Sequence, residues 1–421
     1  MDAANLTHDT FLKSSDIDVN DVRKSQVSAI DVITEELHYS QFFVKYMLPN
    51  QPCLFGSQVT SCWKSVKDWV TEEGRPNFKF LQDRFGRAVV PVANCAGKHY
   101  DSQPKEDMLF TDYIKYWKDY IDSDYSTDRK CLYLKDWHFN REYPGYTAYK
   151  TPVYFLSDWL NEFWESREDQ IDDYKFVYMG PKGSWTPFHA DVFRSYSWSA
   201  NVCGRKKWLL FPPGQEQNLK DVHGNLAYDV TSPEMHDGTK YPNYDKVSGM
   251  LEVIQEAGEV IFVPSGWYHQ VINMDDTISI NHNWINGCNV DICWDFIQSE
   301  LKSVEDAIAD CRDMDGWHKQ CQLILKANSG MDYTDLFTFL HTIAKQRMKN
   351  LNTVMATNEE FEHVNFNYHD VFDLNKILNL LKHILKNKDF SEIDYGTLHV
   401  NPKDFVASLN HFLHNELTSY L

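Results

Sequence analysis

The chain has 421 residues, more than a single hydrophobic core usually covers, so one large domain with additions or two packed domains is expected. A 43% hydrophobic and 14% aromatic content excludes a disordered chain. The formal net charge of -20 argues against general attraction to nucleic-acid phosphates or anionic membranes, and fits a cationic, lysine-bearing protein partner better.

Residues 1–27 are polar, lack the apolar core of a signal peptide and predict a flexible lead-in. No stretch approaches the roughly 20 apolar residues of a membrane helix. The nine cysteines contain no CxxC pair, and their odd number predicts reduced thiols in a cytoplasmic protein, or one that is also nuclear. IDVIT then reads as a strand. A helix is expected to open at Ser40, carry Phe42, Phe43, Tyr46 and Met47 at helical spacing, and end at Pro49 and Asn50 before the strand CLFG. Residues 28–130 are expected to supply N-terminal α/β elements that pack on a β-rich core.

That core shows as short runs: VVPVAN, CLYLKDW, KFVYMG, SWTPFHADVF, SYSWSANVCG, KKWLLFPP, EVIFVPSG, YHQVINM and TISINHNW. Turn signals such as GPKG, PPG and NMDD separate them, which predicts a sandwich or barrel. Residues 214–250 are polar with scattered Gly, Pro and Asn, and predict a long loop bordering a site. From 291 to 421 the pattern is helical, with apolar stripes at Leu336, Phe337, Leu340, Ile343 and Ala344 and at Ile377, Leu378, Leu381 and Ile384. The fold class expected is mainly β with α additions.

In TPFHADVF, His189 and Asp191 are two apart, a spacing that sends both side chains to one face of a strand. The best third ligand is His269, in PSGWYHQ. Two histidines and one carboxylate leave three positions open on a metal, the donor set of non-haem Fe(II) oxygenases. 2-Oxoglutarate would fill two of those positions and O₂ the third. Catalytic zinc uses the same donors and stays open on this evidence.

The succession HAD, GRKKWLLFPP and GEVIFVPSGWYHQVINMDDTISINHNW resembles the jumonji-C family of Fe(II)- and 2-oxoglutarate-dependent oxygenases in order, spacing and wording. The resemblance covers about residues 131–290 as a catalytic domain and implies a double-stranded β-helix of the cupin, or jelly-roll, kind. It implies that Lys206, in the pattern Gly204, Lys206, Trp208, pairs with the distal carboxylate of 2-oxoglutarate, with Lys207 on the opposite face. Thr186 and Tyr133 match hydroxyl positions of related hydroxylases, although ordinary strand roles compete. Asn281 and Asn283 share a face and are candidates for cosubstrate contact, against a solvent-facing polar stripe. Ser199 stands where many members carry asparagine, ten residues past the first metal histidine.

PNQPCLF, PVANC, CLYLKDWH, SDWLNEFW and YDVTSP are further similar to one branch of the family. That likeness implies protein lysyl hydroxylation, with a lysine of the eukaryotic translation termination (release) factor as substrate. A histone or protein lysine demethylase and a non-catalytic metal-binding cupin module are the rivals. Among the other histidines, His282 is expected to pack structurally and His99, His223 and His236 to be solvated. SDWLNEFW should pack a helix on the barrel, and ESREDQIDDY should form a solvated turn.

Overall fold

The computed structural model describes residues 6–15, 23, 28–100, 102–167, 172–356 and 367–417. Its β-structure forms two sheets. The larger runs in the order β1 (Asp31–Ile33), β2 (Cys53–Phe55), β11 (Val260–Val263), β8 (Tyr196–Cys203), β13 (Thr277–Trp284), β6 (Lys175–Gly180), β5 (Leu132–Trp137), β3 (Val89–Asn94) and β4 (Lys105–Leu109). The smaller runs β10 (Leu251–Gln255), β9 (Lys206–Phe211), β12 (Tyr268–Asn273) and β7 (Trp185–His189). Leu54, Ile261 and Val263 of the large sheet meet Trp208, Leu210, Leu251, Val253 and Val271 of the small one in a shared apolar cluster. This is the expected jelly-roll core with helical additions, and N-terminal strands β1–β4 extend its large sheet.

Alternation in the large sheet is used in an unusual sense. Tyr196, Trp198, Ala200 and Val202 of β8 join Ile278, Ile280 and Trp284 of β13 in the largest apolar cluster, on the outside of the sandwich. Phe42, Phe43, Phe85, Phe110, Tyr113 and Trp117 of the N-terminal helices cover that layer. Burial of these aromatics is the main drive for docking the N-terminal elements. The remaining parity, Ser197, Ser199 and Asn201 with Ser279, Asn281 and Asn283, is left for the interior.

Several expectations are corrected. The helix expected at Ser40 spans Tyr39–Phe42, with His38 at its N-cap, and it continues as a wider π-turn over Phe43–Met47. Strands β4 and β10 were not anticipated: KEDML is charged and LEVIQ follows the polar stretch directly. The 214–250 segment lies over the outer face of the small sheet, where Leu219, Ala227, Val230 and Met235 pack on Phe188, Leu209 and Phe211. Within residues 1–27, a helix spans His8–Ser15, Leu6 is buried, and Arg23 pairs with Asp291 at 2.7 Å. The rest of that stretch lies outside the described residues.

The helix Trp159–Glu165 packs mainly among the C-terminal helices rather than on the barrel alone. Arg347, from the helix Tyr333–Met355, is buried against it. Its guanidinium donates to both Glu162 oxygens at 2.6 and 2.8 Å and to Asp373 Oδ2 at 2.8 Å, while Trp159 Nε1 donates to the same Asp373 oxygen at 2.9 Å. Removing one member of such a network leaves its partners charged and desolvated. Arg347→Ala is therefore expected to lower stability by about 3–5 kcal/mol, read by urea unfolding.

Candidate metal centre

His189 is the last residue of β7 and stands directly across from His269 on β12, with ring centroids 4.4 Å apart. Asp191 lies just past the end of the ladder in extended conformation (φ -61°, ψ 156°), so the strand-parity expectation holds although the strand itself stops two residues earlier. One potential ligand atom from each of the three residues lies within 4.8 Å of the others. His189 Nδ1 is 2.7 Å from the carbonyl of Pro187, and His269 Nδ1 is 3.0 Å from that of Trp267. Those contacts fix the tautomers and leave both Nε2 atoms free for a metal. Ser197 Oγ donates to Asp191 Oδ2 at 2.7 Å, leaving Oδ1 available. Burial, then the neighbouring His269, pushes the His189 pKa down to about 4, so the ring is neutral at pH 7, as a ligand must be.

Local structure explains why these segments read as they do. Asn50 of PNQPCLF, at φ 59°, bridges to the PSGW turn: its amide donates to Ser265 O and accepts from Ser265 N, both at 2.9 Å, and its carbonyl accepts from Trp267 Nε1 at 3.1 Å. This clasp sets the entry of β12 and hence His269. On the other side, Phe193 and Arg194 take positive φ of 54° and 56° just after Asp191. Phe193 is buried among the C-terminal helices, and Arg194 sits over the Phe296 ring at 4.5 Å while donating to Tyr268 OH at 2.7 Å. The strained turn is thus held by the helical region.

Lys206 begins β9 and is 2% exposed. Its ammonium donates to Ser279 Oγ at 2.8 Å and lies 3.4 Å from Tyr133 OH, and no carboxylate among the described residues pairs with it. Burial pushes its pKa down to about 7. A buried, unpaired cation with hydroxyls beside it is the receptor that a ligand carboxylate requires. Gly180 allows the Tyr133 ring to approach: a Cβ there would lie 2.4 Å from Tyr133 Cδ2. Lys207 points the other way, to Glu252 at 2.8 Å.

Thr186 is half-buried opposite Val271, and a register shift in the β7–β12 pairing lets it share the inner face with His189 despite their odd spacing. Ser199 pairs with Asn281 across β8 and β13, and its buried hydroxyl has no hydrogen-bond partner among the described residues. Asn281 Nδ2 reaches Ser279 Oγ at 3.3 Å, and the buried Asn283 reaches Ser195 Oγ at 3.2 Å. These asparagines line the interior and are not a solvent-facing stripe. His282 faces away and is packed at 4.2 Å on Trp198, while His99, His223 and His236 are exposed.

Sequence reasoning missed Ser279, Asn273, Gln103, Lys135, Asp136 and Tyr178, which surround the same space. The charged pair inside the apolar run of CLYLKDW was the available signal. A second His/Asp group, His138, Asp172 and Asp173, is closed by its own contacts: His138 Nδ1 lies 2.6 Å from Asp173, and Arg141 donates to Asp172 at 2.9 Å. Those two aspartates belong to the stretch read as a solvated turn, whose residues 168–171 lie outside the described residues.

A model of the cupin-like domain matches residues 39–289. The chain is 52% identical to the 2-oxoglutarate and iron-dependent oxygenase JMJD4 of Danio rerio, over 90% of this chain and 92% of that protein. It is 50% identical to the protein of the same name from Homo sapiens, over 88% of each. The arginine-specific demethylase JMJ20 of Arabidopsis thaliana is 43% identical over 84% of this chain and 77% of its own length. The extent of these matches, with a donor set and a buried cation that suit iron and 2-oxoglutarate, means that the chain belongs to the cupin-like, jumonji-C oxygenases of the JMJD4 group, which depend on iron and 2-oxoglutarate.

Proposed function

We propose that the protein hydroxylates a lysine of a protein substrate, the eukaryotic translation termination factor, with iron held by His189, Asp191 and His269. Lys206 carries the reading of the cosubstrate site: it is a desolvated ammonium that faces hydroxyls and has no counter-ion among the described residues. The choice of substrate rests on the branch-specific wording in PNQPCLF, CLYLKDWH and YDVTSP. The nine free thiols fit action in the cytosol, where that factor works.

Bound iron and 2-oxoglutarate would supply the oxidising chemistry, in which 2-oxoglutarate and O₂ give succinate, CO₂ and one oxygen atom for a substrate C–H bond. The protein's own groups do the positioning. His189 and His269 present neutral Nε2 donors because the Pro187 and Trp267 carbonyls hold their other nitrogens. Ser197 orients Asp191, and Lys206, Tyr133, Thr186 and Ser199 are assigned to the 2-oxoglutarate carboxylates. Asn281 and Asn283 complete the polar wall. The surrounding sandwich limits the access of water to the reacting atoms.

Demethylation is the second reading, favoured by the printed name of the Arabidopsis relative. Peptide mass after incubation with Fe(II), 2-oxoglutarate and the termination factor separates the two. Gain of one oxygen on an unmethylated lysine supports hydroxylation. Loss of methyl from methylated arginine or lysine, with no gain of oxygen on the termination factor, would replace it.

His189→Ala, Asp191→Ala and His269→Ala should each abolish succinate formation. Lys206→Met should raise the KM for 2-oxoglutarate by about 10–100-fold, the scale of losing one charge-assisted carboxylate contact. The affinity should also depend on pH. With a pKa near 7 in the free site, Lys206 loses its charge as pH rises, so the KM for 2-oxoglutarate should climb above pH 7 by up to about tenfold per unit. A flat profile from pH 6.5 to 8.5 would remove Lys206 from this role.

A further inference from the structure

Strand β5 carries one residue more than its partner beside the metal centre. Leu134 pairs with Met179 and Trp137 with Val177, so Lys135 and Asp136 together oppose Tyr178 alone. Leu134 and Trp137 both lie in the outer apolar layer. The extra residue therefore turns two consecutive charged side chains off that layer, towards the interior, and Asp136 adopts φ 62° to do so. A positive φ at a non-glycine residue costs on the order of 1 kcal/mol, which the fold retains here beside its reactive centre.

The two side chains diverge in environment. Lys135 is buried and donates to Gln103 at 2.8 Å. Asp136 is 34% exposed, accepts from Tyr178 OH and pairs with Lys105. Tyr178 joins this carboxylate to the cosubstrate pocket in two ways: its ring lies 5.9 Å from that of Tyr133, and it stands opposite Ser279, the partner of Lys206. The Asp191 carboxylate also acts on the Tyr178 phenol, which burial first and then Asp136 hold neutral. Asp136 thus presents a partly exposed negative charge beside the cosubstrate residues.

Its present cation is replaceable. Lys105 lies on β4, the edge strand of the large sheet, and its side chain is 44% exposed. An ion pair at that exposure contributes about 1 kcal/mol or less, and the long stem of lysine can swing into water. A substrate ammonium arriving with its peptide would be desolvated against the same carboxylate and gain more from it.

We propose that Asp136 is the specificity residue that pairs with the cationic side chain of the protein substrate, and that Lys105 occupies that carboxylate until substrate displaces it. The inference rests on the oxygenase site proposed above and adds the group that selects a lysine-type side chain.

The test compares Nα-acetyl-lysine methylamide with its uncharged analogue Nα-acetyl-norleucine methylamide in the full-length protein loaded with Fe(II) and 2-oxoglutarate. Succinate formed above each variant's own substrate-free rate is the readout. The unmodified protein should respond to the lysine probe at a half-saturating concentration about tenfold or more below that for norleucine. Asp136→Asn, in which asparagine accommodates positive φ, should erase that preference while retaining a normal thermal melt. Lys105→Gln should lower the half-saturating concentration of the lysine probe by about threefold, because the internal competitor is gone. Absence of a lysine preference in the unmodified protein, or its persistence in a folded Asp136→Asn, overturns the proposal. Substrate-free succinate formation by the unmodified protein reports separately on the iron and 2-oxoglutarate site, so the two readings fail independently.

Discussion

A lysine ammonium buried inside a β-sandwich, with no carboxylate partner among the described residues, is the constraint around which this molecule is arranged. Desolvating Lys206 costs several kcal/mol, and among the described residues only Ser279 and Tyr133 offset it. Such a charge is tolerable if the surrounding wall is polar, so the inner face of the large sheet carries serines and asparagines where a sandwich normally places aliphatic residues. The apolar parity of the same strands must then face outward. An apolar outer face exposed to water would be unstable, and the N-terminal helices bury it. The pocket, the inverted alternation and the helical cover are consequences of one another.

The C-terminal helices serve the centre as well as the stability of the chain. Asp191 is followed by a turn in which Phe193 and Arg194 sit at positive φ, and such a turn persists only when its surroundings hold it. Phe193 inserts into the helical cluster and Arg194 is held between Phe296 and Tyr268. The network centred on Arg347 locks the helices that form this support. At the other histidine, Asn50 acts from the N-terminal side by clasping the PSGW turn. The metal centre is therefore clamped from both flanking regions.

The chemistry was legible in the sequence because ligand type is written in residue identity. His189, Asp191, His269 and Lys206 are brought to one interior by strands whose pattern was also readable, and nine of the short runs coincide with strands. Strands β4 and β10 were hidden by charge and by a neighbouring polar stretch. The 214–250 segment was placed beside a site on polarity alone, whereas a few apolar residues in it decide where it packs. Thr186 was found through resemblance, since plain alternation would have put it on the opposite face from His189.

What the sequence determined by itself was the donor set, the approximate strands and the two helical stripes, all of which depend on identity and short-range spacing. Which face of each strand looks inward was left to tertiary structure, because a period of two is the same read from either side and only the presence of covering helices selects between them. The two irregularities that matter most, in β7 at Thr186 and in β5 at Asp136, were likewise decided by pairing between strands far apart in the chain. A bulge is a mismatch between two strands, and neither strand alone contains it.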